Sequence, residues 1–156
     1  MSQNIFVSVE TSKGSNVHVR KNTKNGALVI KGESGEYPCN YGYAIETETE
    51  SGGEVDVIIF EYNSLPVGTI VETRVVGMLP VVIDDNVIDN KLVAVPTYMK
   101  QTDIIEIDTN FLNTCSEFIQ TYKPLTTSIE EWSTAEEAVE YLAECETRFA
   151  DRNVYM

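Results

Sequence analysis

The sequence predicts an α+β fold: a small β-barrel followed by two C-terminal helices. Three observations carry this. The first two thirds consist of short runs of β-forming residues separated by turn signals, at a spacing that suits a barrel. In the last third the apolar residues switch from a period of two to a period near 3.6. No internal repeat, low-complexity tract or linker divides the chain, so residues 1–156 read as a single domain.

The elements follow in order. Ile5-Phe-Val-Ser-Val9 is mostly β-formers and Val17-His-Val19 alternates. Ala27-Leu-Val-Ile30 is a short apolar run after the turn signal Lys24-Asn-Gly26. Val55 to Phe60 follows a Ser-Gly-Gly break, Thr69 to Val76 continues the pattern, and Lys91 to Val95 is closed by Pro96. Phe111, Cys115, Phe118 and Tyr122 recur at steps of four, three and four, on one face of a helix. A second helix follows Trp132. Ser133 and Glu136 have the S-x-x-E spacing of a capping box, and Ala138, Leu142, Cys145 and Phe149 mark its buried side.

Composition bounds the function. Hydrophobic residues make up 42% and charged residues 23%, as in a soluble globular protein. No apolar run is long enough to span a bilayer, and the N-terminus lacks the basic start and apolar stretch of a signal peptide, so a cytoplasmic location is the expectation. The 11 Lys and Arg against 25 Asp and Glu leave a net charge of −14, which argues against direct nucleic-acid binding and against anionic membranes. Such a surface either concentrates divalent cations near a carboxylate site or keeps the protein soluble. The three cysteines, Cys39, Cys115 and Cys145, have no metal-like spacing and read as buried reduced thiols.

The most specific feature is Tyr37-Pro-Cys-Asn-Tyr-Gly-Tyr43, followed by Asp56 and then by Asp84 and Asp89-Asn-Lys91. Asn25-Gly-Ala-Leu28, Arg74-Val-Val-Gly77, Lys91 to Pro96, Tyr122-Lys123 and Glu131-Trp132 complete an ordered set. Together these resemble the soluble family I inorganic pyrophosphatases, from about Glu10 to Ala150. The resemblance implies a small mixed, OB-like β-barrel flanked by helices, hydrolysis of pyrophosphate to two phosphates, and Mg²⁺ or Mn²⁺ as cofactor. It also implies a homo-oligomer. Such chemistry needs metal ions to neutralise the phosphate oxygens and activate a water, and cations or hydroxyls to hold the departing phosphate. Hard Mg²⁺ prefers oxygen ligands, hence Asp and Glu.

By this resemblance Asp56 is a metal-bridging aspartate, Asp84 and Asp89 are acids of a metal loop, and Glu10 is a further carboxylate of the metal shell. One inserted residue between Gly77 and Asp84 makes Asp85 a natural substitute for Asp84. Lys91, Tyr41, Tyr122 and Lys123 correspond to phosphate-facing donors. Read without the resemblance, acids in the turn at Asp84-Asp85-Asn86 are ordinary solvated residues, and Tyr41 beside Gly42 is a packing residue.

The chain also departs from the family pattern. Where the family has D-G-D-P-x-D, this sequence has Ser51-Gly52-Gly53-Glu54-Val55-Asp56. Ser51 stands for a metal ligand and Gly53 for the general base; His18, Arg20 and Gly32 stand for a lysine, a glutamate and an arginine. Two readings follow. One is an inorganic pyrophosphatase with impaired hydrolysis. The other is a catalytically inactive protein on the same fold that binds a phosphate-containing ligand or a protein partner. The acidic run Glu46, Glu48 and Glu50 either supplies replacement carboxylates or forms a solvated strand edge, the latter being the expectation.

Overall fold

A computed structural model of the chain describes the backbone of residues 3–15, 17–21, 28–33, 36–83, 87–122, 128–129 and 131–154, with side chains at 3–15, 36–83, 87–120 and 131–152. The strands are β1 (Asn4–Thr11), β2 (Val17–Lys21), β3 (Leu28–Glu33), β4 (Asn40–Ala44), β5 (Asp56–Ile59), β6 (Ile70–Leu79), β7 (Val81–Ile83), β8 (Val87–Ile88) and β9 (Lys91–Pro96). A 3₁₀ turn at Ile104–Glu106 precedes helix α1 (Thr109–Tyr122), the short strand β10 (Ser128–Ile129) and helix α2 (Ala135–Val154).

Five strands close into a barrel in the order β1-β4-β5-β9-β6. The β5–β9 pair is parallel and the other four pairings are antiparallel, so the barrel is mixed. Strands β10, β7 and β8 form a small sheet, and β2 pairs with β3. The expected α+β barrel with two C-terminal helices is what the chain forms. Strand β4 lies mostly within the Tyr37 to Tyr43 motif, where polar and glycine residues hide its β character. Strands β7, β8 and β10 are too short to show a period. Ala27 lies outside the described residues.

Barrel closure depends on one glycine. A Cβ on Gly42 would sit 2.0 Å from the Ser8 carbonyl oxygen and 3.1 Å from Val9 Cα. Only a residue without a side chain lets β4 press this closely on β1. Just beyond, the β1–β4 register shifts between Val9 and Thr11. Such a shift bends a strand and re-aims its side chains.

Both faces of the central strands are buried. Val57 and Ile59 of β5 and Leu92 and Ala94 of β9 pack with Ile5, Val7, Val9 and Val75, and Ala138, Leu142 and Cys145 of α2 join them. On the opposite face Ile58 packs with Leu79, Val81 and the α1 residues Cys115 and Ile119, while Val93 and Val95 pack with Phe60 and Leu112. Burial on both sides explains why β9 reads as a continuous apolar run after Lys91. All three cysteines are buried free thiols, as their settings in the sequence imply. Phe149 is only half-buried at the far end of α2.

The cap of α2 lies one residue later than the sequence spacing implies. Thr134 and Glu137 form the reciprocal box: the Glu137 N–H donates to Thr134 Oγ1 (3.3 Å) and the Thr134 N–H donates to Glu137 Oε1 (3.1 Å). Ser133 is unavailable because its backbone is bridged to Met78, with N–H···O distances of 2.8 and 3.2 Å. A tertiary contact therefore moves the helix start.

Candidate functional site

The site is built where β5 and β9 begin side by side. Their parallel register sets Asp56 directly beside Lys91, and the β4–β5 register sets Tyr43 on the other side of Asp56. The turn before β9 is pinned to β7: the Asp89 N–H donates to the Val81 carbonyl (2.8 Å), and the Val81 N–H donates to Asn90 Oδ1 (3.0 Å). This pinning brings Asp89 back over Lys91.

Lys91 is the centre of the cluster. Its side chain is 3% exposed, and its Nζ lies 2.6 Å from Asp56 Oδ2 and 2.9 Å from Asp89 Oδ2. The two carboxylates keep 28% and 22% of their side-chain surface open to solvent. Burial works against the lysine's charge, but the adjoining charges of Asp56 and Asp89 outweigh it and hold the ammonium above its ordinary pKa. Lys91 Nζ also sits 5.7 Å from the centre of the Tyr41 ring. Desolvation first, and then the Asp56 and Asp89 charges, push the Tyr41 hydroxyl well above its usual range. Tyr41 is therefore a neutral hydrogen-bond donor at physiological pH.

An aromatic series supports this wall from α1. Tyr41 meets Tyr37 edge to face at 6.0 Å, and Tyr37 meets Phe118 at 4.7 Å. Asn40, fully buried, ties the same strand to two loops: its Oδ1 accepts from the Lys13 N–H (3.0 Å) and the Leu65 N–H (2.8 Å), and its Nδ2 donates to the Asn63 carbonyl (2.9 Å).

Of the residues singled out in the sequence, Asp56, Asp89, Lys91 and Tyr41 are thus brought together. Glu10 lies at the β1 register shift opposite Gly42 and Tyr41. Tyr122 is the last residue of α1, its side chain outside those described. Asp84, Asp85 and Lys123 lie outside the described residues. Sequence reasoning passed over one neighbour. Tyr43 pairs directly with Asp56, and only the strand register reveals it. Glu54 is half-buried like Asp56, while Val55 and Val57 are fully buried. This alternation places Glu54 on the Asp56 side of the chain.

The segment before Asp56 takes a different course. Thr49 Oγ1 and Ser51 Oγ share a hydrogen bond (3.1 Å), and the Thr49 N–H donates to the Gly53 carbonyl (2.7 Å). The acidic run lies in turns and irregular chain rather than in a strand, with Glu46 and Glu50 exposed. Glu48 is docked on α2, where its N–H donates to the Cys145 carbonyl (3.1 Å) and its carboxylate pairs with Arg152 (2.6 Å). Arg148 Nη1 donates to its carbonyl (3.0 Å).

Among the described residues no group of three His, Cys, Asp or Glu side chains gathers to hold a metal. Two partly open carboxylates are nevertheless hard oxygen donors that suit Mg²⁺. This ion commonly takes one or two protein carboxylates and completes its shell with water and substrate phosphates. The donor set therefore fits a metal that shares its coordination with a phosphate ligand.

The architecture places the chain in a structural class. It superposes on an inorganic pyrophosphatase from Neisseria gonorrhoeae with a TM-score of 0.85 and 27% identity, covering 94% of this chain and 91% of that one. On the Helicobacter pylori inorganic pyrophosphatase the TM-score is 0.86 with 26% identity, covering 95% and 94%. The fold is the pyrophosphatase barrel. Residues 7–150 match the family profile for inorganic pyrophosphatase, and the chain belongs to that family. At the sequence level it is 29% identical to the Helicobacter pylori enzyme over 133 residues, 80% of this chain and 76% of that one. Among the described residues no helix is long and apolar enough to cross a membrane.

Proposed function

We propose that this protein acts on pyrophosphate, hydrolysing it to two phosphates with Mg²⁺ at a rate below that of its relatives. Membership of the inorganic pyrophosphatase family supports the reaction class. The observation that carries the reading is the Asp56–Lys91–Asp89 cluster under Tyr41, at the head of the parallel strand pair. In this reading Asp56 and Asp89, with Glu10 and Asp84, hold Mg²⁺, or Mn²⁺ in its place. Bound there, the metal supplies charge neutralisation and acidifies a coordinated water. Lys91 places its positive charge against a phosphate oxygen, Tyr41 offers a neutral O–H, and Tyr122 and Lys123 add further donors. Glu54, two residues from Asp56, is the first candidate to accept the proton that an aspartate at position 53 would take.

The impairment follows from Ser51 and Gly53. A carboxylate missing from each position weakens metal binding and removes a proton acceptor. A second reading, binding of a phosphate ligand without turnover, is favoured by the same loop: Ser51 is engaged with Thr49, and nothing lies within 4 Å of a Cβ at Gly53.

Phosphate release from pyrophosphate by the purified protein, with Mg²⁺ and then Mn²⁺, tests the proposal beside an Asp56→Asn control. Release that disappears in the control supports hydrolysis. Release no higher than the control rejects it and leaves the binding reading. The double variant Ser51→Asp, Gly53→Asp is expected to raise the rate, since position 53 is open and its φ is not positive.

A further inference from the structure

We propose that Lys91 serves as an internal counter-cation, so that divalent metal and a phosphate ligand bind this site cooperatively rather than independently. The proposal rests on the pyrophosphate-directed reading of the site and adds how its charges are exchanged.

The geometry carries it. One buried ammonium lies 2.6 Å from Asp56 and 2.9 Å from Asp89, one oxygen of each carboxylate being committed to it. The trio carries one net negative charge. A divalent cation approaching these two carboxylates alone meets a positive charge already seated between them, and no third described carboxylate joins to offset it. At such separations like charges oppose each other strongly, even at the moderate effective dielectric near a protein surface.

A phosphate group alters the balance because it competes for the same ammonium. Lys is a mobile point charge with three rotatable donors, well suited to change partners. Each phosphate contact drawn by Lys91 loosens its hold on Asp56 and Asp89 and increases their attraction for metal. By linkage, metal bound to the carboxylates strengthens the phosphate's hold on Lys91 by the same factor. The loop before Asp56 sharpens the effect. Ser51 and Gly53 supply no carboxylate, and the Glu48 carboxylate is paired with Arg152 on α2. The Lys91-bridged pair is thus the main charge a metal encounters at the described part of the site.

Melting temperature provides the readout, since a ligand that binds only the folded state raises it. Wild-type protein is measured in EDTA, in Mg²⁺, in methylenediphosphonate (a non-hydrolysable diphosphate) and in both. The shift with both is expected to exceed the sum of the separate shifts. Lys91→Met, similar in length and uncharged, is expected to bind Mg²⁺ alone at least tenfold more tightly than wild type and to lose the excess. Should Lys91→Met fold poorly in EDTA, recovery of its melting transition by Mg²⁺ alone reports the same exchange.

The proposal is overturned if Mg²⁺ alone stabilises the wild type as much as Mg²⁺ with the diphosphonate does. It is equally overturned if Lys91→Met gains no affinity for Mg²⁺. The Asp56→Asn release assay reports separately on hydrolysis. A metal-responsive Lys91→Met protein beside a wild type that releases no more phosphate than Asp56→Asn would retain the counter-cation and retire the enzyme.

Discussion

Replacing Asn40 by alanine tests how the wall of the site is held. Its side chain is fully buried and makes three hydrogen bonds, accepting from the Lys13 and Leu65 N–H groups and donating to the Asn63 carbonyl. Each such bond contributes about 1 kcal/mol net, and a partner left buried without a replacement costs about 1–3 kcal/mol. The partners are only part-buried, so water recovers some of the loss. The expected destabilisation is therefore about 3 kcal/mol. For a chain of this size that corresponds to a melting temperature lower by about 6–12 °C. Asn40→Asp keeps the acceptor but sets a buried carboxylate oxygen against the Asn63 carbonyl, so it should cost at least as much. Urea and thermal denaturation, followed by circular dichroism, measure both variants. A loss below about 1 kcal/mol in Asn40→Ala would refute the idea that this residue ties the loops to β4. Because Tyr41 is the next residue, the alanine variant should also weaken phosphate-ligand binding.

Two further outcomes can be checked alongside. Gly42→Ala places a methyl group 2.0 Å from the Ser8 carbonyl oxygen. The β1–β4 seam should open, and the cooperative thermal transition should be lost; an unchanged melting temperature would show that the barrel closes differently. Glu61 is buried, which pushes its pKa up, but hydrogen bonds from the Tyr98 hydroxyl and from Asn63 and Tyr62 outweigh this and hold it below the ordinary 4.5. A depressed folded-state pKa adds stability above the unfolded value, and that contribution is lost as pH falls through the folded value. The difference in melting temperature between wild type and Glu61→Gln should thus shrink as pH drops below 4.5, and a constant difference from pH 7 to pH 3 would exclude the effect.

By itself the sequence determined the class of fold, most of the longer strands, both helices and the residue types of the site. These depend on local information: β-former runs between turns, apolar recurrence at 3.6 residues, and an ordered set of short motifs. It also indicated that the cysteines are buried thiols, from the lack of a metal-like spacing and from the apolar helical faces that carry Cys115 and Cys145. Only the tertiary structure decided the rest. Strand β4 looks polar in isolation, and Gly42 becomes intelligible only against the β1 backbone. The start of α2 shifts to Thr134 because Met78, far away in sequence, captures Ser133. Spacing alone could not send Glu48 to Arg152, since that pairing spans more than a hundred residues. Nor could it seat Lys91 between Asp56 and Asp89. That arrangement requires two strands 35 residues apart to run parallel in one register, and a parallel pair leaves no signature in either strand alone.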